Sequence, residues 1–179
     1  LQDAGVNLED VAVLYRAHYH AMNLQLEMTR QGIPFIITSG VRFFEQAHVK
    51  DLSAQLRFVA NPADVVAFHR FACLLPKIGE KTASRLHSLA EKVASDEQIS
   101  ILRALSTQTF LKKVPNDAQD DWKSLVETLL AIEEAARTAT PAKVVEIAME
   151  GWYSFYLRQT YDNWTRREED LESLSQFAS

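Results

Sequence analysis

The middle of the chain, from Pro76 to Thr82, has the composition of a turn that binds phosphate. It lies between two helical patterns, and Gly79 favours a sharp turn because glycine adopts positive φ without steric cost. The first N–H groups of the following helix have no partner inside that helix, and the helix dipole favours an anion there. Lys77 and Lys81 add charge, and the Thr82 hydroxyl adds a donor. Such a site would hold a nucleic-acid backbone without reading its sequence.

Positive charge continues beyond this turn, although the chain as a whole is acidic. The net charge of -5 argues against a nucleic-acid partner held by overall charge, so any contact with DNA must be local. Four cations and two carboxylates occupy this stretch: Lys77, Lys81, Arg85 and Lys92, and Glu80 and Glu91. The same pattern is also typical of an ordinary turn between helices with a solvated face, and both interpretations stay open at this point.

The first fifty residues have the pattern of an α/β unit. Val11–Tyr15 and Phe35–Thr38 are apolar runs typical of buried parallel strands. Between them, one face of a predicted helix carries Ala17, Ala21, Leu24 and Met28, and Gly32 with Pro34 ends it. The pattern predicts a βαβ crossover. Because two strands do not form a stable sheet alone, we expect this piece to belong to a larger domain.

Helical periodicity replaces the strand pattern after Gly40. Four predicted helices cover about 44–60, 64–75, 80–94 and 97–105, and a long one lies around Trp122–Leu130. Thr140 is expected to cap the next helix, with Pro141 at its first position and Gly151 at its end. The last predicted helix begins near Asn163. The predicted fold is therefore mainly α, with a small partial α/β (βαβ) piece at the N-terminus followed by an all-helical domain.

Several motifs follow one another in a fixed order along the chain. They are Val11–Tyr15 with Arg16 after it, Gly32-Ile33-Pro34, the segment Gly40–Glu45, the turn Pro76–Thr82, and the acidic segment Arg167–Leu174. In this order they resemble the C-terminal region of UvrD/Rep/PcrA-type superfamily 1 DNA helicases. The resemblance implies that residues 1–56 are part of the second RecA-like (2A-type) domain. It also implies that residues 57–179 are the helical accessory (2B-type) domain.

The resemblance also implies roles for particular residues. In the family the matching turn grips duplex DNA, which predicts DNA contacts at Lys77, Ile78, Gly79, Lys81, Thr82 and Arg85. Single-strand or motor contacts are predicted at Arg16, His18, Arg42, Phe43 and Lys50. At least one of the adjacent phenylalanines Phe43 and Phe44 is expected to be buried. The chain departs from the family pattern at Lys77, which replaces a glycine of the turn, and at His18, which replaces an asparagine.

Catalytic motifs are missing from this stretch of sequence. A phosphate-binding loop needs two glycines five residues apart followed by Lys and Ser or Thr, and the glycines here are never so spaced. No catalytic residue and no metal site are predicted, since His69 and Cys73 form a pair without further ligands. The resemblance implies that the intact parent is an ATP-dependent 3′–5′ DNA helicase of repair or replication restart. It would use ATP and Mg, while this part would bind no cofactor and hydrolyse nothing.

Composition and charge leave one competing function. The lone Cys73 excludes an internal disulfide and fits a reducing cytoplasm, and no apolar run reaches the roughly 18–20 residues that span a bilayer. We therefore expect a cytoplasmic protein whose partners are DNA and repair proteins, with no membrane contact. The acidic final helix favours the alternative of a protein-protein interaction or autoinhibitory helical module.

Overall fold

A computed structural model of the chain describes residues 6–16, 21–37 and 43–178, and every secondary-structure element in these ranges is a helix. The chain divides into two compact units, residues 1–43 and residues 44–179. None of the helices in the described part of the chain is both long and apolar enough to cross a bilayer.

The described part of the first unit contains a short 3-10 helix, Leu8–Asp10, one α-helix and no strand. Helix α1 spans Met22–Arg30 and ends before Gly32, whose φ of 66° is the left-handed conformation that glycine adopts readily. The predicted βαβ unit is therefore wrong within the described residues, although its helix is present. A strand exists only when a neighbour completes its hydrogen-bond ladder, and no described segment pairs with 11–15 or 33–37. Leu14 and Ile36 are accordingly 95% and 80% exposed.

The second unit is built from nine α-helices among its described residues. They are α2 (Ala47–Ala60), α3 (Val65–Ala72), α4 (Glu80–Glu97), α5 (Ile101–Ala104), α6 (Gln108–Leu111), α7 (Gln119–Ala135), α8 (Pro141–Ala148), α9 (Ser154–Thr160) and α10 (Trp164–Phe177). The division at residue 56 that the family resemblance predicts falls inside α2. The predicted helix over 97–105 is shorter because α4 runs on to Glu97 and ends at Gln98, which has a left-handed φ of 54°.

Side-chain caps fix the helix starts that the sequence predicts. The carboxylate of Asp64 accepts a hydrogen bond from the Ala67 amide at the start of α3, at 2.9 Å. The hydroxyl of Thr140 accepts from the Lys143 amide at the start of α8, with Pro141 at the first helical position. Each cap satisfies an amide that has no partner within its own helix. The predicted start at Thr140 is thus confirmed.

Aromatic side chains form the centre of the core of the second unit. Five fully buried rings pack in edge or stacked contacts with centroid separations of 5.3–6.1 Å: Phe58, Phe68, Phe71, Phe110 and Trp122. The indole N–H of Trp122 donates to the carbonyl of Leu105 at 3.2 Å, so its polar atom is satisfied. Burying each ring contributes about 1.5–3 kcal/mol. This cluster holds α2, α3, α6 and α7 together.

A kink at Gly151 joins α8 to α9. The turn Met149–Tyr153 is π-helical, and Gly151 has a non-helical ψ of −149°. The Trp152 amide donates to the hydroxyl of Thr128 on α7 at 3.0 Å, and a Cβ on Gly151 would collide with the Thr128 side chain. Gly151 therefore interrupts the helical run, as predicted, three residues after the last residue of α8, and a residue with a Cβ at this position would collide with Thr128.

A buried carboxylate fixes α3 against α2. Asp51 on α2 accepts hydrogen bonds from the Arg70 guanidinium on α3 at 2.8 Å and from the Tyr153 hydroxyl at 3.0 Å. Burial raises the pKa of Asp51, and these two donors oppose that rise. Burial and the nearby Asp51 carboxylate raise the pKa of Tyr153, which therefore stays protonated and donates. The network sets the position of the helix that leads into the Pro76–Thr82 turn.

Candidate nucleic-acid interface

The turn between α3 and α4 takes its sharp bend at Lys77. The φ of Lys77 is 61°, and the following amide, of Ile78, donates to the carbonyl of Leu75 at 3.3 Å. Gly79 has φ −101° and ψ 178°, which is extended backbone that any residue adopts. The expectation that Gly79 supplies the positive φ is therefore wrong. Lys77 adopts the left-handed conformation at the position where the family pattern has glycine.

The first amides of α4 point out of an uncapped helix end. Gly79 is the N-cap residue and no side-chain hydrogen bond caps this end. The Ala83 amide makes the first intrahelical bond, to the Gly79 carbonyl, so the amides of Glu80, Lys81 and Thr82 have no helical acceptor. No heavy atom lies within 4 Å of the position that a Cβ on Gly79 would take. The amide end of α4 is open to a ligand.

Side chains around this end differ in exposure. Lys77, Lys81 and Arg85 are exposed and Thr82 is half-buried, whereas Ile78 is only 4% exposed. The side chain of Ile78 therefore anchors the turn to the core, and only its backbone is near the surface. Among the residues that the structure describes, the three cations have no carboxylate partner. They are free to pair with an anion from outside the chain.

A histidine on α3 holds the single carboxylate of the turn. Glu80 is 82% exposed, and its Oε2 lies 2.9 Å from Nδ1 of His69. The other ring nitrogen of His69 lies 3.2 Å from the hydroxyl of Ser84, which donates to the Glu80 carbonyl at 3.0 Å. This bridge links α3 to α4 and draws the carboxylate towards α3. A negative charge near the amide end of a helix competes with a bound anion, so the position of Glu80 matters.

The sequence did not predict the role of His69. The spacing of His69 and Cys73 suggests only a pair of metal ligands, and within the described ranges no cluster of His, Cys, Asp and Glu forms a metal site. Cys73 is half-buried, and burial, with a smaller contribution from Glu80, raises the pKa of its thiol. In the sequence, His69 and Glu80 lie eleven residues apart on either side of a turn. Whether their side chains meet depends on the angle at which α3 packs on α4, and the spacing alone does not give that angle.

The predicted single-strand contacts divide between the two units. Arg16, in the first unit, and Lys50, in the second, are exposed. Phe43 is 2% exposed and its amide donates to the Gln25 side chain at 3.2 Å, so its ring has no open face for a base. This confirms the expectation that at least one of the adjacent phenylalanines is buried. His18 and Arg42 lie outside the described residues.

A second surface feature is an acidic cleft between α8, α9 and α10. Its volume is about 430 Å³, and its charged lining residues are Glu146, Glu150, Arg158, Glu168 and Glu172. Arg158 pairs with Glu168 at 3.2 Å, which leaves an excess of carboxylates. The unpaired carboxylates Glu150 and Glu172 repel the phosphates of DNA, whereas the α3–α4 turn carries exposed cations.

The chain matches the family described as UvrD-like helicase C-terminal domain over residues 1–176. DNA helicase II of Haemophilus influenzae is 28% identical over 173 residues, which cover 95% of this chain and 23% of that protein. DNA helicase II of Escherichia coli is 26% identical over 176 residues, which cover 97% and 24%. ATP-dependent DNA helicase PcrA of Bacillus subtilis is 29% identical over 133 residues, which cover 71% and 17%. The chain spans less than a quarter of the length of these relatives.

Proposed function

The chain belongs to the UvrD-like helicase C-terminal domain family, and from this premise we propose that it is the part of a DNA helicase that holds duplex DNA by its sugar-phosphate backbone. The α3–α4 turn is the contact. Its ligand is a phosphate group of the duplex, and its contribution is to position DNA and regulate unwinding.

One observation carries this proposal, namely the exposed and uncapped end of α4 beside unpaired cations. The amides of Glu80, Lys81 and Thr82 are donors without helical acceptors, which is the arrangement that binds phosphate at helix ends. The helix dipole adds about 0.3–1 kcal/mol for an anion at this position. Lys77 and Lys81 add charge without the cost of breaking an existing ion pair. These contacts read no base, so binding should be independent of sequence and sensitive to salt.

The chemistry of the whole protein follows from the relatives and is part of the proposal. The three relatives are named DNA helicases, and the name of the Bacillus subtilis protein specifies ATP dependence. We therefore propose an ATP-dependent 3′–5′ helicase of DNA repair or replication restart that uses ATP with Mg. Since the present sequence has no phosphate-binding loop, this part is proposed to supply DNA contact and no ATP hydrolysis.

Duplex binding by a charge-neutralised turn tests the proposal. In the variant K77Q/K81Q/T82A, two phosphate contacts are lost, and each contributes about 0.9 to the slope of log affinity against log salt. At 0.1 M salt, with 1 M salt as the reference, the triple variant should therefore bind a blunt duplex about 60-fold more weakly than the wild type. Fluorescence anisotropy measures this difference. The matched control R137Q/K143Q removes two exposed cations that already pair with Glu134 and Glu146. Equal affinity of the wild type and the triple variant would remove the proposal.

A second candidate function is supported by the acidic cleft. Its carboxylates favour a basic protein partner, and the docking of such a partner would make the chain an interaction or autoinhibitory module. A cleft variant such as E150Q/E172Q leaves duplex affinity unchanged or raises it slightly if the turn binds DNA. Unchanged duplex binding of the turn variant, together with weaker binding of a basic peptide by E150Q/E172Q than by the wild type, would favour the second function.

A further inference from the structure

His69 on α3 contacts α4 through both of its ring nitrogens. Nδ1 lies 2.9 Å from Oε2 of Glu80, and Nε2 lies 3.2 Å from Oγ of Ser84. Oγ of Ser84 in turn lies 3.0 Å from the carbonyl oxygen of Glu80. The number of protons on the ring decides how many of these three contacts are hydrogen bonds.

All three contacts are hydrogen bonds only when His69 carries a proton on each ring nitrogen. A carboxylate oxygen only accepts, so Nδ1 must donate to Glu80. The Glu80 carbonyl also only accepts, so the single hydroxyl proton of Ser84 goes to that carbonyl. Oγ of Ser84 is then an acceptor, and Nε2 must donate to it. The geometry therefore fits a positively charged imidazolium ring.

Glu80 is the one ion-pair partner of His69 among the described residues. Three pairs of charged groups on α2, α3 and α4 are closed among themselves: Asp51 with Arg70, Arg57 with Asp64, and His87 with Glu91. The ionisable groups that remain nearby on these helices and the turn are a thiol and three exposed cations: Cys73, Lys77, Lys81 and Arg85. The charge on His69 is therefore balanced by the Glu80 carboxylate.

We infer that protonation of His69 regulates the duplex contact at the α3–α4 turn, because the charged ring holds the Glu80 carboxylate and the neutral ring releases it. The inference rests on the proposed function and adds a regulation of the same site. Glu80 is the first residue of α4, and its side chain is 82% exposed. A released carboxylate is thus an anion at the positive end of its own helix, where it competes with phosphate.

Duplex affinity should rise as the pH falls. Histidine is the side chain whose charge ordinarily changes between about pH 5 and 8. On the acid side of that range the imidazolium neutralises Glu80, and on the alkaline side the carboxylate opposes the bound phosphate. A charge at a helix end changes the affinity for an anion there by about 2- to 5-fold. By reciprocity, bound DNA raises the proton affinity of His69 by the same factor, so binding takes up protons.

Anisotropy titrations with a blunt duplex at about pH 5.5 and about pH 8 test the inference. The wild type should bind about 2- to 5-fold more tightly at the lower pH. H69Q should keep the weaker affinity at both pH values, and E80Q should keep the tighter one. E91Q is the matched control, since it removes a carboxylate that pairs with a histidine further along α4, and its pH response should equal that of the wild type. A wild-type pH response in H69Q overturns the inference.

Proton uptake provides a second readout. Calorimetric titration of the wild type with duplex at about pH 7, in two buffers with different heats of ionisation, should report a net uptake of protons that H69Q abolishes. No uptake by the wild type, or equal uptake by H69Q, overturns the inference.

These outcomes are distinguishable from failure of the proposed function. If K77Q/K81Q/T82A weakens duplex binding at both pH values while H69Q keeps the wild-type pH response, the turn holds DNA and the switch is wrong. If the triple variant binds as tightly as the wild type at both pH values, the proposed function fails and the inference fails with it.

Discussion

Replacing Lys77 with glycine should stabilise the chain while weakening its hold on duplex DNA. Lys77 has a φ of 61°, a conformation that costs a residue with a side chain about 1–2 kcal/mol. Glycine avoids this cost but loses about 0.5–1 kcal/mol through its more flexible unfolded state. At the midpoints of these two ranges the net gain is about 0.75 kcal/mol, or about 1.5–3 °C in Tm for a chain of this size. The lost ammonium group lowers duplex affinity about 8-fold at 0.1 M salt.

The assay combines thermal unfolding with duplex anisotropy on three variants. K77Q keeps the strained backbone and removes the charge, so its affinity falls while its Tm stays near that of the wild type. Among the described residues, Lys77 and Gln98 are the two non-glycine residues with a positive φ, and Gln98, at the end of α4, has a φ of 54°. Q98G should therefore raise Tm about as much as K77G and leave duplex affinity unchanged.

The two effects of replacing Lys77 with glycine have opposite signs, a gain in stability and a loss of duplex affinity. If K77G lowers Tm, the side chain of Lys77 makes a stabilising contact that outweighs its backbone strain. If K77G and K77Q both bind duplex as tightly as the wild type, the turn is a structural element and its charge has no role in DNA binding.

Three further predictions concern stability. Gln55 is fully buried, and both polar atoms of its side-chain amide lack a hydrogen-bond partner among the described residues. Q55M should therefore raise the free energy of unfolding by about 1–3 kcal/mol, measured as a higher urea midpoint. A lower midpoint would mean that a bound water satisfies the amide. G151A should lower the free energy of unfolding by about 1–3 kcal/mol because the new methyl group collides with Thr128. The double variant G151A/T128A should lose less stability than the sum of the two single losses. Strict additivity would contradict the close packing. The hydrogen bond from the Ala67 amide, and to a smaller extent Arg57, holds the pKa of Asp64 below its ordinary value of 3.8. The stability that this carboxylate adds is therefore present above pH 3.8 and is lost as the pH falls through the lowered pKa. The Tm of D64N should therefore lie below that of the wild type at neutral pH and converge with it in acid, and a gap that persists in acid would refute this.

Helices were predictable from the sequence where local signals define them. Asp64 and Thr140 cap α3 and α8 through hydrogen bonds to residues three positions later, so the information lies within one turn of the helix. The strands were not predictable in the same way. Val11–Tyr15 has the composition of a buried strand, but a strand depends on neighbours distant in sequence, and no described segment supplies one.

The candidate site was predictable in its composition and not in its geometry. The cations and the uncapped helix start follow from residue types around Gly79 and from helix periodicity. The left-handed conformation at Lys77 does not follow, because glycine two residues later is the better local candidate for positive φ. The contact between His69 and Glu80 depends on how α3 packs on α4, and the residue types around the turn do not specify that packing.

The backbone amides at the start of α4 provide the most direct test of the account. Titrating the ¹⁵N-labelled chain with a short blunt duplex at low salt should give the largest amide shift changes at Glu80, Lys81 and Thr82, with smaller changes along α4 to Lys92. The changes should reverse on addition of salt. Shift changes centred on the acidic cleft, or none at these three amides while binding occurs, would contradict the claim that this turn holds the DNA backbone.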